Sequence, residues 1–143
     1  MIIDNNLYLS AAQVNVRAVA VYPSTNVIDL TQIHYRVAYN NPMWLICRVT
    51  AHFHLAAGAP ELNVMIYNNA TADAAGGGFI YWDTDHSLIT ADLIDNYEIV
   101  AMRLPDRFPE RYLLCVYTVT TNDFNAGAIT TFLTPDKPEP FLL

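Results

Sequence analysis

His52 and His54 stand two residues apart in a stretch, MWLICRVTAHFH, whose side chains alternate like those of a strand. Residues at i and i+2 of a strand share a face, so the pair has the spacing of two metal ligands. A metal site needs at least one more donor, and none stands beside the pair in the sequence. The expectation is therefore two polar residues on a half-exposed strand face, with no metal. Asp83-Thr84-Asp85-His86 offers carboxylate oxygens of the kind calcium takes, but the closing glutamate and the further oxygens of an EF-hand loop are missing. It reads as a solvated turn. Gly76-Gly77-Gly78 has the composition of a phosphate loop; FIYW follows it, a strand rather than a helix, and no lysine is near. A surface loop between strands is the reading. Gly-x-Ser-x-Gly is absent, and Cys47 and Cys115 lie inside apolar runs as buried free thiols or, alternatively, as one bridge. Glu98, in NYEIVAM, is the one carboxylate set among apolar neighbours, and alternation points it outward. No catalytic group and no cofactor site is expected.

The elements that carry these residues have a period of two. In PELNVMIYN, Leu62, Val64 and Ile66 alternate with Asn63, Met65 and Tyr67. In 43–53, Leu45, Cys47, Val49, Ala51 and Phe53 form the apolar face, and Trp44, Ile46, Arg48, Thr50 and His52 the other. In 110–121 both faces are apolar at first, which predicts burial on two sides, and the run turns Thr-rich toward its end. Further strands are predicted at 26–30, 79–82, 86–90, 97–103 and 127–134, separated by Pro-, Gly- and Asn-containing turns. The segment 91–96 is long enough for a turn but not a helix. About eight short strands predict one all-β domain over 1–143, a jelly-roll-like antiparallel β-sandwich. Residues 1–25 lie outside that core as an extra edge strand or an arm on a neighbour. Residues 135–143, PDKPEPFLL, favour an extended polyproline conformation and form a C-terminal arm with an apolar tip at Phe141, Leu142 and Leu143.

The chain has 143 residues, 53% hydrophobic and 15% charged, with a net charge of −7. Charged residues make up about 25% of an average domain, so the polar surface here is sparse, and such surfaces finish their burial against other chains. The acidic balance and the single lysine, Lys137, exclude nucleic acid and anionic membranes as partners. No apolar run approaches the about 20 residues of a spanning helix, and MIIDNNLYLS lacks a signal peptide's basic start. Asp106-Arg107-Phe108-Pro109-Glu110-Arg111 reads equally as a locally paired charged turn and as a contact rim in which Arg107 and Arg111 meet a partner.

Several stretches resemble the capsid cement (decoration) proteins of tailed bacteriophages that have a jelly-roll fold. They are MIIDNNLYLSAAQ, STNVIDL at 24–30, WLICRV at 44–49 and, closest, LPDRFPERYLLCVYTVTTNDFNAGAITTFLTPD at 104–136. Within the last, Glu110-Arg111-Tyr112-Leu113, Tyr117-Thr118-Val119 and Ala126-Gly127-Ala128-Ile129-Thr130 are similar to the family's final hairpin. The ATADAAGGG stretch and the two histidines depart from the pattern. The resemblance implies a non-enzymatic virion protein on the outer surface of the capsid, made in the bacterial host cytoplasm. Its partners would be the major capsid protein and further copies of itself, a dimer before a trimer. The tip Phe141, Leu142 and Leu143 is expected at an interface. An alternative is a carbohydrate-binding jelly roll of a phage fibre or host-attachment structure. His52-x-His54 also resembles the His-x-His of cupin enzymes. There Ile46 stands where that family has glycine, and its second motif has no counterpart.

Overall fold

A computed structural model describes residues 8–14, 16–31, 43–72, 79–83, 87–105 and 110–134. Among them are ten strands: β1 (Tyr8–Gln13), β2 (Ala20–Pro23), β3 (Ile28–Asp29), β4 (Trp44–Leu55), β5 (Glu61–Asn69), β6 (Phe79–Asp83), β7 (Leu88–Ile89), β8 (Glu98–Arg103), β9 (Tyr112–Thr120) and β10 (Phe124–Thr134). The first sheet runs β1-β10-β4-β8 and the second β2-β9-β5-β6, with β3 beside β9 and β7 beside β5. Every described pairing is antiparallel.

Set aside the two-residue strands β3 and β7, and the pairing is nested. The first strand pairs with the last, β1 with β10. Then β2 pairs with β9, β4 with β8, and β5 with β6. One long hairpin rolled up on itself gives this order, which is that of a jelly-roll sandwich. The alternation read from the sequence explains why it closes. Leu45, Cys47, Val49 and Phe53 of β4 and Leu62, Val64 and Ile66 of β5 all point into one core between the sheets. On β9 the residues Leu113 to Tyr117 are buried without a break, and Thr118 and Thr120 are half-buried. The expected two-faced burial at the start of that strand is therefore present.

Ala51 departs from its expected place. Two steps of β4, Ala51 to Val49, face one step of β10, Ala128 to Ile129. The extra residue is a β-bulge, which turns Ala51 to the outer face and exposes it. The N-terminal segment also lies closer to the core than expected. From Tyr8 onward it supplies an edge strand to each sheet, and Leu9 and Val16 belong to the core.

The edge made by β2 is partly blocked. The Ser24 N–H donates to the Cys115 carbonyl, so Ala20, Tyr22 and Ser24 turn their backbone groups toward β9. Val19, Val21 and Pro23 turn theirs outward. Pro23 has no N–H, and its carbonyl accepts from Gln13 Nε2 at 3.0 Å. The Val19 N–H donates to Asp123 Oδ1 at 2.7 Å. Such blocking at Val19 and Pro23 hinders strand addition at an edge.

Candidate interaction surface

The sandwich has two unlike poles. One is built by the corner between β9 and β10. Asn122 Oδ1 accepts from the Ala59 N–H at 3.1 Å, and the Asp123 carbonyl accepts from the Ala56 N–H at 3.2 Å. Phe124 N–H donates to the Arg17 carbonyl at 2.8 Å. The loops 16–19 and 56–59 are thereby lashed to the corner. Arg17 to Val21 and His54 to Ala59 are all exposed, and across 16–21, 54–60 and 121–127 the formal charges are Arg17 and Asp123.

Among the described residues the large apolar side chains in the open include Val14, Val19, Val21, Leu55, Ile89, Ile94 and Tyr97. Val19, Val21, Leu55, Ile89 and Ile94 fall in the half of the sandwich nearer this corner, and Val14 and Tyr97 lie near its middle. Val14 follows Gln13, which faces Ile129; Val21 faces Thr118; Leu55 faces Phe124; Ile89 faces Glu61, itself opposite Thr120. The stretch from Leu93 to Tyr97 lies along β4, the Leu93 carbonyl accepting from Phe53 N–H and the Tyr97 carbonyl from Val49 N–H. An apolar surface on a protein with this little charge is the candidate contact region.

At the opposite pole the described residues are polar. Arg111 grips Asp29 with two prongs, Nη2 to Oδ2 at 2.8 Å and Nε to Oδ1 at 3.1 Å. Thr31 adds its N–H and its hydroxyl to Asp29 Oδ1, at 3.1 and 2.7 Å. The Arg111 hydrogen bonds, with those of Thr31, hold the Asp29 carboxyl far below the usual range. The guanidinium also lies 5.1 Å from the Tyr112 ring centroid. Arg111 is thus paired, but with a residue far away in sequence rather than within its own turn. Its side chain is still 53% exposed, leaving a face for a partner. Arg107, Phe141, Leu142 and Leu143 lie outside the described residues, as do the triple glycine and Asp85.

The histidine pair sits on the outer face of β4. The two rings are 4.4 Å apart at their centroids. The neighbouring carboxylates are already engaged: Asp95 Oδ1 accepts from the His52 N–H at 2.6 Å, and Asp92 Oδ2 from the Ile89 N–H at 3.3 Å. No group of three potential metal ligands occurs among the described residues. Glu98 is half-buried opposite Arg48. Cys47 and Cys115 are free thiols, both buried.

One feature of the core was not foreseen from the sequence. Tyr117 is fully buried, and its hydroxyl meets Ser10 Oγ at 2.9 Å and Thr131 Oγ1 at 2.7 Å. The Ser10 hydroxyl in turn donates to Gln13 Oε1 at 2.6 Å. The signal available was weak: polar residues at inward positions of strands that otherwise alternate. No described helix is long and apolar enough to cross a membrane.

Comparison with known proteins adds a family. The Bbp16 family model matches residues 9–133, nearly the whole sandwich, and the chain belongs to that family. No curated protein matches it.

Proposed function

We propose that this member of the Bbp16 family is a structural virion protein, not an enzyme. It binds the outside of a tailed-phage capsid and cements neighbouring major capsid proteins, working as a homo-oligomer, a dimer before a trimer. It is made in the bacterial host cytoplasm and ends on the outer surface of the head. The observation that carries this reading is the gathering of exposed apolar side chains, among the described residues, toward the Thr121 corner. A stiff body with one sticky half is suited to spanning a joint between capsomers. Repetition over a lattice multiplies weak individual contacts, and added buried area slows capsomer separation. The segment that most resembles cement proteins, 104–136, supports it as well. It supplies β9 and β10, which lie inside both sheets and form the spine of the molecule.

Cosedimentation with emptied heads of the cognate phage tests the proposal. The wild-type chain is expected in the pellet at a fixed ratio to capsid protein. Val21→Asp and Ile94→Asp, on exposed sites, are expected to lower occupancy while leaving the far-UV circular dichroism unchanged. A chain that stays in the supernatant at saturating concentration sinks the reading. The sugar-binding alternative calls for exposed, coplanar aromatic rings, and Tyr97, 37% exposed, is an aromatic in the open. A hit on a glycan array would revive it.

A further inference from the structure

We propose that His52 and His54 form a chelating site for a divalent late transition ion, Cu2+ before Zn2+. Solvent water serves as the further donor that the sequence does not place beside the pair. The site goes beyond the capsid reading and stands whether or not the chain binds heads.

Both rings lie on the outer face of β4, His54 exposed and His52 half-buried. A strand holds its i and i+2 side chains side by side, and here the ring centroids are 4.4 Å apart with the planes inclined by 42°. A metal lies about 2.0 Å from each ligating nitrogen, with the ring centroid about 1.2 Å further out; the centroids are then about 4.5 Å apart when the nitrogens meet the ion at a right angle, and about 5.2 Å apart at the tetrahedral angle. The observed separation fits the right angle. Tetragonal Cu2+ takes that angle, and a small swing of the exposed His54 ring opens it toward the tetrahedral angle of Zn2+.

His52 is also held as metal-binding histidines are. Its Nε2 lies 3.4 Å from the Thr90 carbonyl oxygen. A carbonyl only accepts, so the neutral ring carries its proton on Nε2 and presents the lone pair of Nδ1 to a metal. The nearest carboxylate contributes charge. Asp95 Oδ1 accepts from the His52 N–H at 2.6 Å, which keeps an anion beside the pair and favours a cation there. The donor set is nitrogen, so Ca2+ and Mg2+, which take oxygen, do not fit, and late transition ions do. Cys47 and Cys115 are buried, so no thiolate competes for the ion at the surface.

The test is a titration of the full-length chain with Cu2+ at neutral pH, read by calorimetry and by electron paramagnetic resonance. The expected result is one tightly bound ion per chain, with a tetragonal spectrum split by two imidazole nitrogens. Zn2+ should displace it only in excess. His52→Ala and His54→Ala should each lower the affinity at least tenfold, because either change turns a chelate into a single bond. Both variants keep His34 and His86, so binding elsewhere on the chain survives in them and is measured there. The wild-type spectrum needs no variant and decides the matter if His52→Ala does not fold. Two results overturn the proposal: a wild-type spectrum with fewer than two imidazole nitrogens, or a loss of affinity below tenfold in either variant that folds.

Discussion

The Tyr117 hydroxyl and Thr131 Oγ1 lie 2.7 Å apart, joining β9 of one sheet to β10 of the other through the middle of the core. Together with Ser10 and Gln13 they form a buried polar chain inside an otherwise apolar sandwich. Hydrophobic contact fixes how close two sheets approach but says little about their sliding past one another. A directional bond between the two inner strands does.

Tyr117→Phe keeps the ring and removes the hydroxyl, leaving Ser10 Oγ and Thr131 Oγ1 each one partner short. Stranding buried polar groups costs about 1–3 kcal/mol, and urea unfolding is expected to show a loss in that range. Thr131→Val is expected to cost a similar amount. The double variant should lose less than the sum, because each single change leaves the other's hydroxyl unpaired. Strict additivity would mean that the two hydroxyls do not act together.

Burial sets a stability limit at alkaline pH. Desolvation pushes the Cys47 thiol from 9.0 up to about 12, with a hydrogen bond from Thr131 pulling slightly the other way. Cys115 is raised by burial first and by nearby Cys47 second, and Tyr117 by burial first. In the folded chain these groups hold their protons, whereas in the unfolded chain the thiols release theirs near their ordinary pKa. Stability is therefore whole below about pH 9 and falls as pH rises toward 12, by up to about 1.4 kcal/mol per pH unit for each thiol. Urea titrations at pH 8, 9, 10 and 11 should show the decline, and Cys47→Ala should show a shallower one. Equal slopes for the two proteins would contradict the account.

Much of this architecture was legible because burial on one face writes a period of two into the chain. The strand expected at 60–68 is β5, that at 97–103 is β8, and the two-sided burial of 110–121 is β9. Ala51 was misplaced because a bulge adds a residue to β4 without leaving a mark on the alternation. The N-terminal strands were ambiguous because β2 buries so little: Ala20, Val21 and Pro23 are exposed, so its sequence carries no face to read. The Asp29–Arg111 pair was out of reach for another reason. Nothing local joins residues 82 apart; only the pairing of β3 with β9 brings them together. The exposed apolar surface was legible as a quantity, an excess of apolar residues over charge, but its position depended on which loops share a pole.

Gly127 is required by its surroundings. Its φ is 139°, in the region open mainly to glycine, and a Cβ there would lie 2.5 Å from two atoms of the Phe53 ring. That ring cannot retreat, since it is fully buried and packed edge-on against Phe124 at 5.0 Å. Backbone strain and overpacking both act against Gly127→Ala, which is expected to cost about 2–4 kcal/mol. The urea midpoint reads this directly, and a loss under about 1 kcal/mol would show that Phe53 has somewhere to go.

Thr121 runs the opposite way. It has φ 73°, and the Asn122 N–H donates to the Thr120 carbonyl at 2.9 Å, which makes Thr121 the centre of a γ-turn with positive φ. That turn is rare and strained, and a β-branched residue fits it badly. The strain, about 1–3 kcal/mol for such a backbone, is sustained by the ties from Asn122, Asp123 and Phe124 to the loops 56–59 and 16–19. The Thr121 side chain is exposed, so its removal leaves the core intact. Thr121→Gly releases the strain and gives back about 0.5–1 kcal/mol through the freer unfolded chain. The net expectation is a gain in stability of about 0.5–1.5 kcal/mol. Asp123→Ala, which cuts the tie to Val19, is expected to lose about 1 kcal/mol in the same measurement. If Thr121→Gly instead lowered stability by as much, the corner would be held by the threonine side chain rather than in spite of it.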